Sequence, residues 1–168
     1  MTLTDLNELN ADEAYSWFNQ CCVSSRWCKL MLEGMPVDTV DALISLAQQS
    51  WQQCAVVDYL EAFEGHPMIG DVDSLRAKYA STKTLASNEQ QGAAQADEAT
   101  LVELSALNHQ YLAKHGFIFI ICATGLSAQT MLTALKQRYA NDTPSEISLA
   151  AIEQLKITLL RLNKGLSQ

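Results

Sequence analysis

The 168 residues are 48% hydrophobic and 18% charged, a balance that excludes disorder and fits one globular domain spanning residues 1–168, large enough to hide roughly two-thirds of its unfolded surface. The formal net charge of −8 repels phosphate backbones and anionic lipid, so nucleic acid and a membrane surface are not expected partners. A small anionic substrate would then need a local cation set against that field.

The expected fold is all-α: a single-domain bundle of roughly seven or eight helices with one buried extended segment. Asn10 and Glu13 form a capping-box pattern, and Ala14, Trp17, Phe18, Cys21 and Cys22 follow at the spacing of one buried helical face. A shorter helix is predicted from Arg26 to Leu32, ending at Gly34. Asp38 is the expected cap of a third, with Val40, Leu43, Ile44, Ala47, Trp51 and Cys54 inward and a continuation, with a break, to Phe63. Gly65-His66-Pro67-Met68-Ile69-Gly70-Asp71 interrupts the pattern, because proline cannot continue a helix and glycine permits unusual dihedrals.

A short helix around Asp73 to Ala80 comes next. Ser87 or its neighbour opens a long one, with Leu101, Leu104, Leu107, Tyr111 and Leu112 inward and Gly116 closing it. Phe117 to Gly125 has strand propensity but no strand partner, and is read as a buried extended segment. Ser127 caps a helix with Met131, Leu132, Leu135 and Tyr139 inward. Thr143-Pro144-Ser145-Glu146 looks like a cap, a first-turn proline and a capping-box glutamate; Ile147, Ala150, Ala151, Leu155, Thr158, Leu159 and Leu162 follow at helical spacing up to Gly165.

Five cysteines, odd in number and irregularly spaced, read as reduced thiols of a cytoplasmic protein, and the start Met1-Thr2-Leu3-Thr4-Asp5 has no signal-peptide character. The longest apolar stretch, Phe117 to Ala123, is far short of the ~20 residues that span a bilayer. No metal site is expected. Cys21 and Cys22 are adjacent, no Cys-x-x-Cys pair exists, and His109 and His115 lie on different sides of a helix, so tetrahedral ligands do not converge. No cysteine is marked as an activated nucleophile, and no glycine-rich phosphate loop is present.

His66 stands in a loop between helices, where catalytic residues concentrate, although a loop histidine often only hydrogen-bonds. Glu89 near a helix start fits a first-turn carboxylate as well as a catalytic one. Arg161 flanks the apolar stripe of Leu159 and Leu162, the place of a snorkelling arginine or of a cation at a site. If the 117–125 segment is buried and outside a sheet, its amides need partners, which a ligand's carboxylate or carbonyl oxygens can supply.

Several short motifs occur in a fixed order: Leu60-Glu61-Ala62-Phe63; His66-Pro67-x-Ile69-Gly70-Asp71; Glu89-Gln90-x-Gly92-Ala93; Leu107-Asn108-x-x-Tyr111; Gly116-Phe117-x-Phe119; Leu135-x-x-Arg138-x-x-Asn141; Glu153; and Ile157-x-x-Leu160-Arg161-Leu162. Together they resemble the 2-oxo-4-hydroxy-4-carboxy-5-ureidoimidazoline (OHCU) decarboxylases over nearly the whole chain. The resemblance implies a helical, cofactor-independent carboxy-lyase of urate catabolism that forms (S)-allantoin, and it allows a homodimer. It assigns His66, Glu89 and Arg161 to catalysis. It assigns Pro67, Ala86, Ser87, Asn88, Gln90 and the backbone of Phe119, Ile120, Ile121, Cys122 and Ala123 to substrate binding. Two positions depart from the family pattern: Met68 stands where many relatives carry arginine, and Ala86 where they often carry serine, which leaves Ser87 or Asn88 to make that polar contact, or none. The alternatives are the same fold acting on another ureido or keto acid, an inactive helical binding module that keeps the pocket, and a helical interaction protein whose polar residues are merely solvated.

Overall fold

The computed structural model describes residues 1–68 and 90–166, with the side chains of residues 90–97 outside that description. The described residues form eight α-helices and no strand; the all-helical class is as the periodicity predicts, whereas the first helix, Leu3–Glu8, has no counterpart among the expected elements. These are α1 (Leu3–Glu8), α2 (Ala11–Cys21), α3 (Ser25–Glu33), α4 (Val40–Gln52), α5 (Val56–Glu64), α6 (Gln90–His115), α7 (Ala128–Tyr139) and α8 (Thr143–Gly165). The predicted short helix at Asp73 to Ala80 and the cap near Ser87 lie outside the described residues. Two compact units result, Met1–His66 with Ile147–Gln168, and Pro67–Glu146.

In the first unit, α3 packs on α2, α4 and α5. The box at Asn10 forms as predicted: its side chain accepts from the Asp12 and Glu13 amides, and Glu13 accepts from the Asn10 amide at 3.2 Å. Ala14, Phe18 and Cys21 are buried behind it. Trp17 is only half-buried; its ring lies against Gly165, where a Cβ would come within 2.9 Å. Trp27 is wholly buried, and its indole N–H donates to the Ala47 carbonyl of α4 at 3.1 Å. Trp51 donates likewise to Ala151 of α8 at 3.0 Å. Both tryptophans thus bury a large ring without stranding the N–H. The cap of α4 is Thr39, one residue later than Asp38, so Val40 becomes the first helical residue and is exposed.

Glu61 of α5 accepts both the amide and the hydroxyl of Ser25, at 2.9 and 2.5 Å, which fastens α5 to the first turn of α3. Gly65 ends α5 with an ordinary φ of −70°. Its glycine is there for room rather than for an unusual dihedral, since an added Cβ would lie 2.5 Å from Val23 Cγ2.

In the second unit α6 packs on α7. Leu101, Leu104 and Tyr111 are buried as predicted, but Leu107 and Leu112 are half-buried, and Ser105, Asn108 and His115 share the inner face. Gly116 closes α6 at φ +79°, a conformation that favours glycine. Residues 118–123 then run without helix or strand, with Phe117, Phe119 and Ile120 buried.

The entry to α8 differs from the sequence reading. Asp142 is the cap, accepting from the Ser145 amide at 2.8 Å, so Glu146 is not part of a capping box. It is fully buried and accepts from Tyr111 Oη at 2.5 Å, Arg138 Nε at 2.9 Å and Asn141 Nδ2 at 2.7 Å. Arg138 in turn donates through Nη1 to the Ile120 carbonyl at 2.6 Å and lies 4.7 Å from the centre of the Phe119 ring. Tyr111, Arg138 and Asn141, three residues that carry the resemblance, therefore hold the irregular segment in place.

Candidate functional site

His66 leaves the end of α5, its amide on the Phe63 carbonyl at 3.2 Å. The ring is half-buried, and Nε2 lies 2.6 Å from Gln154 Oε1 on α8. Gln154 is completely buried. Its Nε2 donates to Thr158 Oγ1 at 3.2 Å and points at Cys22 Sγ at 3.9 Å; Thr158 Oγ1 donates back to the Gln154 backbone carbonyl at 3.0 Å. Burial lowers the His66 pKa below its ordinary 6.5; the Gln154 bond opposes this and the Arg161 charge adds to it. The imidazole is thus neutral at pH 7, the form that accepts a proton.

Arg161, one turn beyond Thr158 on α8, is half-buried and donates through Nη1 to the Cys21 carbonyl at 3.1 Å. That carbonyl belongs to the last residue of α2, where helix carbonyls lack partners and attract cations. That bond uses one of the five guanidinium donors and tethers the fork to the end of α2. The nearby thiols are not nucleophiles. Burial pushes Cys21 up to about 11 against the pull of Arg161, and burial raises Cys22 as well, so both remain protonated. Among the described residues no group of three or more His, Cys, Asp or Glu side chains is placed to hold a metal ion.

Both His66 and Arg161 thus lie in the first unit, where the Arg161 charge is felt at His66. Pro67 is exposed. Glu89, Ala86, Ser87 and Asn88 lie outside the described residues, as does the side chain of Gln90, whose backbone opens α6. In the second unit, the amides of Phe119, Ile120, Ile121 and Ala123 have no acceptor among the described residues, whereas the Ile120 carbonyl is taken by Arg138. Gln154 escaped the sequence reading because a periodicity count registers apolar positions. Its signal is positional: Gln154, Thr158 and Arg161 fall at i, i+4 and i+7, one face of α8.

A family model described as OHCU decarboxylase matches residues 7–163. The chain belongs to that family. A Uric acid degradation bifunctional protein TTL from Arabidopsis thaliana is 38% identical over 157 residues, covering 94% of this chain and 47% of that protein. A Uric acid degradation bifunctional protein from a Bacillus species is 25% identical, over 98% of this chain and 32% of its own length. This chain spans about half of the first and a third of the second. A 2-oxo-4-hydroxy-4-carboxy-5-ureidoimidazoline decarboxylase from Halalkalicoccus jeotgali is 25% identical, covering 98% of this chain and 91% of that one.

Among solved structures, an OHCU decarboxylase crystallised in the presence of (S)-allantoin matches with a TM-score of 0.72 at 38% identity, covering 92% of this chain and 99% of its own. An (S)-allantoin synthase shares the fold at a TM-score of 0.73 and 19% identity, over 99% of this chain and 54% of its own. The described residues of this chain are helical with no strand, and no described helix is long and apolar enough to cross a membrane.

Proposed function

We propose that this protein converts 2-oxo-4-hydroxy-4-carboxy-5-ureidoimidazoline to (S)-allantoin in urate degradation. The observation that carries the reading is an imidazole, His66, within electrostatic reach of a tethered guanidinium, Arg161, in a chain of the OHCU decarboxylase family. The substrate's chemistry suits that pair. The carbon that loses carbon dioxide also bears a hydroxyl and adjoins a ring carbon doubly bonded to nitrogen. When the carbon–carboxylate bond breaks, its electron pair becomes a new carbon–carbon double bond, and the former carbon–nitrogen π pair moves to nitrogen with a proton. The substrate is its own electron sink, so no external cofactor is needed. The hydroxyl then gives up its proton to become the carbonyl, and the adjacent ureido-bearing carbon takes a proton on one face.

His66, neutral and able to accept a proton, manages the hydroxyl proton. Glu89 is its partner carboxylate, orienting or charging it or exchanging protons with the hydroxyl. Arg161 binds anionic or carbonyl oxygens of the substrate, for which a planar fork is suited. The amides of Phe119, Ile120, Ile121, Cys122 and Ala123 are assigned to ring or ureido oxygens, supported by the four of them that have no described acceptor. Pro67, Ala86, Ser87, Asn88 and Gln90 complete the binding residues.

Free cysteines, four of them buried, support a reducing cytoplasm, and the net charge of −8 supports a small-molecule partner over nucleic acid. A homodimer is compatible with the family, and sedimentation decides it. The reading is tested by supplying the substrate fresh from urate and following its loss, in parallel with other ureido and keto acids. Acceleration with this substrate is expected; acceleration only with another acid would overturn the assignment. Arg161→Lys keeps the charge and loses the fork. Loss of one charge-assisted hydrogen bond, about 1.5–3 kcal/mol, lowers kcat/KM about tenfold to a hundredfold. Unchanged kinetics in that variant would remove Arg161 from the site.

A further inference from the structure

The proton-transfer role of His66 depends on which ring nitrogen carries hydrogen, and the residues behind the ring decide this. Thr158 Oγ1 donates its single proton to the Gln154 backbone carbonyl at 3.0 Å, the usual bond of a helical threonine four residues back. Its oxygen therefore meets Gln154 as an acceptor, and Gln154 Nε2 donates to it at 3.2 Å. Cys22 Sγ lies on the same side, 3.9 Å from that nitrogen. With its nitrogen turned to Thr158 and Cys22, the amide presents Oε1 to the imidazole at 2.6 Å. A carbonyl oxygen only accepts, so the ring nitrogen facing it carries the hydrogen. Nδ1 has no hydrogen-bond partner among the described residues.

From this geometry we infer that Gln154, set by Thr158, is the positioning residue that holds His66 as its Nε2–H tautomer and leaves Nδ1 as the nitrogen that accepts the substrate's proton. The inference rests on the decarboxylase reading for its substrate but not for its tautomer. Gln154 does for His66 what a buried acceptor does behind many catalytic or metal-binding histidines: it fixes tautomer and ring plane at once. A neutral amide does so without adding charge, so the ring stays neutral, whereas a carboxylate there would favour imidazolium. Four titratable groups are nearby. Arg161 lowers the His66 pKa; Cys22 touches Gln154; Cys21 lies at Arg161; and Glu61, bound to Ser25, acts on Cys22. The thiols are uncharged, so among the described residues the charges around the pair are Arg161 and the already bonded Glu61; Glu89, the proposed partner carboxylate, lies outside them.

The test is nitrogen-15 NMR of the histidine rings in the full chain, which has three histidines, with His66 assigned by its disappearance in His66→Ala. Above the His66 pKa, Nε2 is expected at a pyrrole-type shift and Nδ1 at a pyridine-type shift. The reverse would overturn the inference. In Gln154→Met the two shifts are expected to average between tautomers. In that variant kcat should fall roughly ten- to a hundredfold, the range for losing a residue that orients a working histidine, with KM within about twofold. Unchanged kcat would overturn it. Gln154→Glu keeps an acceptor on Nε2. It should therefore retain the tautomer, recover much of the activity lost in Gln154→Met, and move the His66 titration and the acid limb of the rate profile to higher pH. No movement would count against the contact. The ring is read without substrate, so the two readings fail separately. Wild-type protein with Nε2–H but no turnover sinks the decarboxylase assignment, and turnover by a protein with Nδ1–H sinks the role of Gln154 alone.

Discussion

His66→Ala is expected to lower kcat by about 10²–10⁴, the contribution of a positioned acid–base group, while the protein stays folded. The ring is only half-buried. Its removal leaves Gln154 Oε1 without its 2.6 Å partner, at about 1–3 kcal/mol if no water replaces it, which a thermal melt registers separately from the kinetics. The wild-type pH dependence follows from the same ring. His66 must be neutral to accept a proton, and burial holds its pKa below the ordinary 6.5, so the midpoint of the acid limb of kcat/KM should lie below pH 6.5. A variant that loses folding and activity together, with no catalytic defect in its folded fraction, would remove His66 from the chemistry.

Glu146→Leu should produce the largest loss of stability. It strips the counter-charge from Arg138, whose side chain is 13% exposed, and leaves the Tyr111 hydroxyl and the Asn141 amide without their acceptor. Breaking one side of a buried ion pair costs about 3–5 kcal/mol, on the order of 10 °C in Tm for a chain of this length. Adding Arg138→Met to that variant should recover part of the loss, because the uncompensated charge goes with it. If the double variant melts below Glu146→Leu, the damage lies in the lost Arg138 contacts to Ile120 and Phe119 instead.

Acid acts on the same cluster. Burial alone would raise the Glu146 pKa. The hydrogen bonds from Arg138, Tyr111 and Asn141, with the Arg138 charge, outweigh it and hold the carboxyl below its ordinary 4.5. Its contribution is therefore fully present above pH 4.5 and disappears as pH falls through the lower folded value. Stability measured against pH should show this acid loss in wild type and lack it in Glu146→Leu.

Much of the fold was legible because helical spacing and caps are local. The box at Asn10, the stop at Gly116 and the buried positions of α7 need no knowledge of distant contacts. The readings that failed depended on distant ones. Glu146 has the right offset for a capping box, but Asp142 is a competent cap one residue earlier, and three donors brought by α6, α7 and the turn after α7 claim the carboxylate. Leu107, expected inward, is only half-buried, while its neighbour Asn108 is buried with its side-chain amide donating to the Leu104 carbonyl one turn back at 2.9 Å.

The candidate site was legible at His66 and Arg161 through the resemblance, not through pattern alone. Glu61, Asn108, Tyr111, Arg138 and Asn141 carried that resemblance equally well. The structure gives each a partner within the fold, so a residue that identifies the family can also have a role in holding the fold together. Gln154 was invisible to both approaches, since a buried glutamine declares itself only once the group it bonds is known.

Handedness of the product tests the central claim most directly. Once the carboxylate has left, the reacting carbons are planar, and water protonates either face, so unaided decay gives racemic allantoin. The substrate is generated from urate with the two preceding enzymes, this protein is added, and circular dichroism is recorded over time. The account predicts a rapid signal of (S)-allantoin that disappears in His66→Ala. A trace indistinguishable from the reaction without this protein would contradict it.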